Sequence, residues 1–276
     1  MTICFGLPGK VYLVGAGPGS SKLLTLRALE LLQSADVVFH DDLVSSEVVA
    51  MIPSRTAVYN VGKRCGIKKI TQDEIHRRMI SAARSGQTVV RLKGGDPLIF
   101  GRTGEEIRAL RAARIEFEIV PGVTAATAAA AAAEITLTDR KHGSKLVLAS
   151  NHRCAGRKGH TWPTDAANNA TLVFYMPGRD FGPLCVELGA NGVNEDTPCV
   201  LVSQAARPEQ QVLRTSLRWL PTIAPLSAPS VLIIGAVAAE ATGESTGNVD
   251  AGETFENLET QEATIALGEP DDVAVQ

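Results

Sequence analysis

Two glycine-rich turns hold the residues best suited to contact a small molecule. Gly15-Ala16-Gly17-Pro18-Gly19 follows directly on the apolar run Val11-Tyr12-Leu13-Val14. Its small residues let the main chain turn tightly and approach a ligand without side-chain obstruction. A dinucleotide-binding turn is one reading, but Pro18 has no amide to offer a pyrophosphate, and the third glycine of G-x-G-x-x-G is missing. The second turn, Arg91-Leu92-Lys93-Gly94-Gly95-Asp96-Pro97, also closes a β-rich run. Paired glycines expose amides and carbonyls there, and Asp96 adds an acceptor suited to a ribose hydroxyl or an amine. A plain β-turn would also account for Gly-Gly-Asp-Pro. Two charged clusters complete the set, His40-Asp41-Asp42-Leu43-Val44-Ser45 and Gly62-Lys63-Arg64. On residue type alone, Lys63-Arg64 can attract anionic groups. A turn or helix cap near Ser45 is the structural reading of Asp41.

The elements that must position these residues read as an α/β fold. Short β-rich runs at Val11–Val14, Asp36–Phe39, Ala57–Tyr59, Thr88–Leu92 and Phe117–Val120 alternate with helical stretches. This pattern predicts a largely parallel sheet covered by helices, with ligands at the carboxyl ends of the strands. Thr71-Gln72-Asp73-Glu74 and Thr103-Gly104-Glu105-Glu106 are expected to form capping boxes. Pro121-Gly122 breaks the alternation, and an alanine-rich helix from Thr124 to about Ala133 follows. Strand candidates Lys145–Ala149, Thr171–Tyr175, Cys199–Ser203, Gln211–Arg214 and Ser230–Ile234 then lie close together, predicting a mixed sheet. Residues 1–120 are therefore expected to form an N-terminal α/β domain and 121–240 a C-terminal one. Residues 151–169 read as a loop and 241–276 as an acidic, disordered tail.

The 27 bases and 30 acids give a formal net charge of −3, but residues 240–276 hold ten of the acids and no Lys or Arg. The remainder has 27 bases against 20 acids, a formal +7. A basic body suits an anionic partner, although an ordinary solvated surface is equally compatible with it. Cys4, Cys65, Cys154, Cys185 and Cys199 are scattered without a C-x-x-C pair, so neither a disulfide framework nor a metal site is expected. With no signal segment and no long apolar run, a cytoplasmic protein without membrane or nucleic-acid partners is expected.

Four segments in order resemble the signature segments of the uroporphyrinogen-III C-methyltransferases, within the tetrapyrrole-methylase superfamily. They are Val11–Gly19, Val61-Gly62-Lys63-Arg64, Arg91–Pro97 with Ile99-Phe100-Gly101-Arg102, and Val120-Pro121-Gly122-Val123-Thr124-Ala125-Ala126. Leu172-Val173-Phe174-Tyr175-Met176 adds a looser match, and the resemblance covers about residues 10 to 240. It implies two α/β domains, usually in a homodimer, with S-adenosylmethionine folded between them and S-adenosylhomocysteine as product. The implied donor-binding residues are Pro18, Gly94, Gly95, Asp96, Ile99, Thr124, Ala125, Met176 and Ala205. The implied reaction methylates two ring carbons of uroporphyrinogen III, giving precorrin-2 for sirohaem or cobalamin. An electron-rich pyrrole carbon attacks the sulfonium methyl in line, and a proton then leaves the ring. Asp41 matches the family's proton acceptor and Lys63 its proton donor. Arg64, Lys93, Arg102 and Arg140 are the cations expected to meet the substrate's carboxylates.

Several positions depart from the pattern. Asp42 stands where arginine is usual, Asp139 for histidine, Ala132 for tyrosine and Ala205 for glycine, and residues 149–160 differ from the usual Thr-Gly-His segment. Acids near a polyanion site should alter the choice of peripheral groups more than donor binding. Three other readings remain: a methyltransferase for a later precorrin, a nicotinamide-dependent oxidoreductase, and a binding module without catalysis.

Overall fold

The computed structural model describes residues 9–62, 70–141, 144–151 and 170–239. Lys63, Arg64, Cys4, Cys65, Cys154 and the acidic tail lie outside these residues. The first part runs β1 (Val11–Gly15), α1 (Leu26–Ser34), β2 (Val37–His40), α2 (Ser46–Val49), β3 (Ala57–Asn60), α3 (Gln72–Arg84), β4 (Val89–Lys93), α4 (Thr103–Ala112) and β5 (Phe117–Val120). Then come α5 (Ala125–Ala132), β6 (Lys145–Ser150), β7 (Ala170–Tyr175), α6 (Gly182–Ala190), β8 (Pro198–Ser203), β9 (Gln211–Ser216) and β10 (Ser230–Ile234). Every expected strand forms, within two residues of its expected limits.

Strands β1 to β5 pair in parallel in the order β3-β2-β4-β1-β5. Parallel neighbours require crossovers, and helices supply them on both faces. Ala28, Leu31 and Leu32 of α1 and Val48 of α2 pack on one face; Ile75, Met79 and Ala83 of α3 and Leu110 of α4 pack on the other. With both faces covered, β2 and β4 are buried along their whole length and read as continuous runs rather than alternating ones. Central strands β1 and β4 lie side by side, and the chain leaves them in opposite directions, past β4 to β2 and past β1 to β5. Such a switch point opens a crevice outside the carboxyl ends of the strands.

The second sheet has the order β6-β7-β10-β8-β9 and is mixed. β6 pairs with β7 in parallel, and the other pairings are antiparallel. The alanines of α5 lie close on one face against Val173, Val200, Val202 and Ile233. Leu184 and Leu188 of α6, with Phe181, cover the other face against Leu172, Phe174, Leu201 and Leu232. Phe174 is wholly buried, and its truncation to alanine should cost roughly 3–5 kcal/mol. Cys185 and Cys199 are free thiols in this layer, and burial pushes both above the ordinary thiol value. Among the described residues no helix is long and apolar enough to cross a membrane.

The capping boxes turn out differently from expectation. Thr71 Oγ1 accepts from the Glu74 amide at 3.2 Å, but the Glu74 carboxylate turns to Arg77 (2.7 Å) and Arg78 (2.9 Å). At α4 no box forms: the residue before it, Arg102, adopts φ 57, and Thr103 Oγ1 donates to the Pro97 carbonyl. Glu106 instead points inward. β4 carries Arg91 and Lys93 into the interior, and an unpaired buried cation is costly, so Glu106 is drawn in to neutralise them.

Candidate functional site

The two glycine-rich turns meet. The Ala16 amide donates to the Lys93 carbonyl at 2.7 Å, the Gly95 amide to Gly17 at 2.7 Å and the Gly17 amide to Gly95 at 3.2 Å. Gly17 and Gly95 adopt φ 69 and φ 70, a region that L side chains rarely enter. The end of β5 joins them, because the Gly122 amide donates to Asp96 Oδ2 at 2.9 Å. A Cβ on Gly15 would lie 2.7 Å from the Gly122 Cα, and one on Gly122 would lie 2.6 Å from the Gly95 carbonyl oxygen. Three loops cross here at a distance only glycine permits. Above Gly95 the space is open, the nearest atom to an added Cβ being the Ala125 amide nitrogen at 3.9 Å. That nitrogen belongs to the first turn of α5, where amides lack intrahelical partners.

This pairing removes the dinucleotide reading. The amides of Ala16 and Gly17 are already donated to main-chain carbonyls, and Pro18 has none, so the turn has little left for a pyrophosphate. Asp96 is also engaged, since Oδ1 accepts from the Leu98 amide at 2.7 Å while Oδ2 holds Gly122. Each carboxylate oxygen keeps one further lone pair for a ligand hydroxyl.

The second sheet supplies the opposite wall. Thr124 Oγ1 and the Tyr175 hydroxyl are 2.5 Å apart, and the Ala126 amide donates to that hydroxyl at 3.3 Å. Burial raises the Tyr175 phenol above its ordinary value, against the pull of Thr124. Phe100, from the loop after β4, packs on the Tyr175 ring with centroids 5.0 Å apart. Met176 follows β7 with φ 49 and its side chain half exposed. Buried Ala205 sits between Gln204 (φ 50) and Ala206 (φ 60). Phe100, Arg102, Met176, Gln204 and Ala206 thus share an unfavourable left-handed backbone, and all lie in loops after β4, β7 and β8. Such strain persists where surrounding contacts over-determine the chain, a common property of ligand sites.

The charged residues divide. Asp41 is partly buried beside the second turn, its Oδ2 accepting from the Gly94 amide at 3.3 Å and its Oδ1 from Leu43 at 3.0 Å. Ser45, rather than Asp41, caps α2. Asp42 turns its carboxylate towards β3, where Asn60 Nδ2 donates to Oδ1 at 2.8 Å; it is therefore not simply an acid facing a polyanion. Lys93, expected to meet substrate carboxylates, is buried with its Nζ 2.8 Å from Glu106 Oε2. Burial, reinforced by the nearby Arg91 charge, holds it below the ordinary lysine value despite Glu106. Its charge is compensated inside the first sheet's core, which corrects the expected substrate contact. Arg102 is exposed and paired with Glu105 at 2.7 Å, and Arg140 is exposed beyond α5. Lys63 and Arg64 lie outside the described residues, directly after Gly62. Asp139 Oδ1 accepts from the Lys141 amide at 2.6 Å.

Three residues gain importance that their sequence context did not signal. Glu106 reads as part of a helix cap, and Tyr175 enters only as one member of the matching segment Leu172–Met176, with no role of its own. Arg207 sits in the loop after β8 with no periodic pattern around it, yet its Nε reaches the Pro18 carbonyl at 3.4 Å and its Nη2 the Leu43 carbonyl at 2.5 Å.

Comparison with known proteins fits this geometry. Residues 10–221 match the family described as Tetrapyrrole (Corrin/Porphyrin) Methylases. A siroheme synthase of Nitrosococcus oceani is 45% identical over 234 residues, covering 84% of this chain and 50% of that protein. One from Zymomonas mobilis is 45% identical over 230 residues, covering 83% of this chain and 49% of that protein. The chain spans about half the length of these curated relatives. Among solved structures, the Thermus thermophilus uroporphyrin-III C-methyltransferase complexed with S-adenosyl homocysteine is 36% identical, with a TM-score of 0.72 over 84% of this chain and 99% of that one. A cobalt precorrin-4 methyltransferase is 30% identical, with a TM-score of 0.73 over 83% and 95% of the two chains.

Proposed function

The chain belongs to the tetrapyrrole (corrin/porphyrin) methylase family, and on that footing we propose that it is an S-adenosylmethionine-dependent uroporphyrinogen-III C-methyltransferase. It methylates two ring carbons to give precorrin-2, a precursor of sirohaem and cobalamin. The observation that carries this reading is the paired Gly17–Gly95 turn facing the first amide of α5. The likeness to a structure complexed with S-adenosyl homocysteine supports it.

The residues present fit such a donor. The open space above Gly95, between the main chain of Gly94-Gly95-Asp96 and Thr124-Ala125, would be filled by a side chain. Main-chain groups and the spare lone pairs of Asp96 suit the ribose and amino-acid portions, and Ile99, Met176 and Ala205 give dry surroundings for a sulfonium. Pro18 closes the turn without adding a donor. When bound, S-adenosylmethionine supplies an electrophilic methyl group, which a pyrrole carbon accepts as the bond to sulfur breaks.

The chain's own contribution is positioning and the management of one proton. The Asp41 carboxylate is held in place by two amides, which leave lone pairs free to accept the ring proton. Lys63 serves as proton donor, and Arg64, Arg102 and Arg140 meet substrate carboxylates. Residues 1–120 and 121–240 serve as the two lobes of the site, in a cytoplasmic homodimer like the family members that the sequence resembles.

Anaerobic incubation with uroporphyrinogen III and S-adenosylmethionine, followed by mass analysis, tests the proposal. Two added methyl groups are expected. Methylation of a later precorrin but not of uroporphyrinogen III would assign the chain to a different step, and no methylation of either would refute it.

A further inference from the structure

We infer that Arg207 is a positioning residue that ties together, from the second sheet, the two first-sheet loops carrying the donor turn and Asp41. Its Nε bonds the Pro18 carbonyl at 3.4 Å and its Nη2 the Leu43 carbonyl at 2.5 Å. The side-chain stem lies on Gly19, where an added Cβ would stand 2.5 Å from Arg207 Cγ. One guanidinium therefore reaches both loops at once, which its planar fork of donors allows and a lysine's single ammonium does not.

Each end of this tether is well founded. On the Arg207 side, the Arg207 amide donates to Gln204 at 3.0 Å, the Gln210 amide to Arg207 at 3.1 Å and the Ala206 amide to Gln210 Oε1 at 2.8 Å. The Gln204 amide anchors the loop to Pro229 at 2.7 Å. On the other side, Leu43 packs so closely on Gly94 that a Cβ there would lie 2.6 Å from Leu43 Cβ. The Leu43 amide donates to Asp41 Oδ1 at 3.0 Å, so a shift of the Leu43 carbonyl displaces Asp41. Ser45 Oγ bonds the Gly19 carbonyl at 2.5 Å, coupling the two loops a second time. Both acceptors of Arg207 are main-chain carbonyls, so the tether does not depend on the side chains at 18 and 43.

The effect on catalysis rests on the methyltransferase reading, whereas the effect on the loops does not. Arg207→Met keeps the stem on Gly19 and removes both hydrogen bonds; Arg207→Lys restores one. Hydrogen exchange without ligand reads the loops, calorimetry with S-adenosylhomocysteine reads donor binding, and steady-state kinetics with uroporphyrinogen III read turnover. In Arg207→Met the amides of Leu43, Val44 and Gly94 are expected to exchange faster. Donor affinity and kcat should each fall about tenfold or more, the scale set by one or two charge-assisted hydrogen bonds. Arg207→Lys should lie between Arg207→Met and wild type, and added guanidinium should partly restore Arg207→Met. Wild-type exchange at those amides in Arg207→Met would overturn the inference. So would wild-type behaviour of Arg207→Lys in all three measurements while Arg207→Met fails to fold. If the exchange change appears but wild-type protein shows no heat with S-adenosylhomocysteine, the tether stands and the methyltransferase reading falls.

Discussion

The Gly95 amide donates to the Gly17 carbonyl at 2.7 Å and the Gly17 amide returns a bond to Gly95 at 3.2 Å. Turns far apart in sequence thus become one surface at the switch point of the first sheet, with Gly122 pressed against it. Substitutions at Gly95 and Gly122 should therefore separate binding from folding. Gly95→Ala has room for its methyl but must hold φ 70, a strain of about 1–2 kcal/mol. It should fold, with a modestly lowered unfolding temperature, and bind S-adenosylhomocysteine poorly because the methyl enters the open space. Gly122→Ala places its methyl 2.6 Å from a main-chain oxygen that cannot move alone. It should lose more stability than Gly95→Ala. Equal unfolding temperatures for the two variants would contradict this picture.

The buried trio beneath the second turn gives a pH-dependent expectation. Arg91 and Lys93 share Glu106 at 3.0 and 2.8 Å, so Glu106→Gln leaves two interior cations uncompensated and should cost roughly 3–5 kcal/mol near neutrality. Lys93 already titrates below its ordinary value of 10.5, through burial and the Arg91 charge. Losing Glu106 should lower it further. Between the folded value and 10.5 the unfolded chain holds a proton that the folded one lacks, so this group alone makes stability rise with pH in that window. Denaturant unfolding from neutral pH upward should show the gap between Glu106→Gln and wild type narrowing as pH rises. A gap that widens with pH would contradict the sign.

Asp41 and Lys63 are proposed to act on the proton rather than on the donor. Asp41→Ala and Lys63→Ala should lower kcat by about 10²–10⁴-fold, the usual scale for general acid–base groups. Both should leave the dissociation constant of S-adenosylhomocysteine within a few-fold of wild type. Loss of donor binding in both, at unchanged kcat, would reverse the assignment. Asp41→Asn keeps the hydrogen-bonding shape around Gly94 and Leu43, and it separates proton acceptance from loop support.

Most of the architecture was legible in the sequence because hydrophobic period and turn chemistry are local signals. Thr88–Leu92 reads as a strand and forms β4 one residue further on, and Pro121-Gly122 marks the break after β5. Ser45 and Thr124 stand at the starts of α2 and α5, but only Ser45 caps its helix with the side chain, the Thr124 hydroxyl turning to Tyr175. What escaped depends on residues distant in sequence. Thr103 and Glu106 have the spacing of a capping box, but Arg91 and Lys93, from another strand, compete for the carboxylate and win it. For the same reason Lys93 reads as a cation for substrate carboxylates: a lysine beside two glycines gives no sign that its ammonium points into the core. Arg207 acts through carbonyls of another sheet, and no local pattern encodes such a partner. Asp42 was legible as a departure from the family pattern, but not its contact with Asn60.

The most direct measurement is calorimetric titration of the wild-type chain with S-adenosylhomocysteine, alongside the same titration of Gly95→Ala. Saturable binding of one equivalent per chain by the wild type, strongly weakened in Gly95→Ala, is the expected result. No heat with the wild type, or undiminished binding when the open space above Gly95 carries a methyl group, would contradict the claim that these paired turns grip the methyl donor.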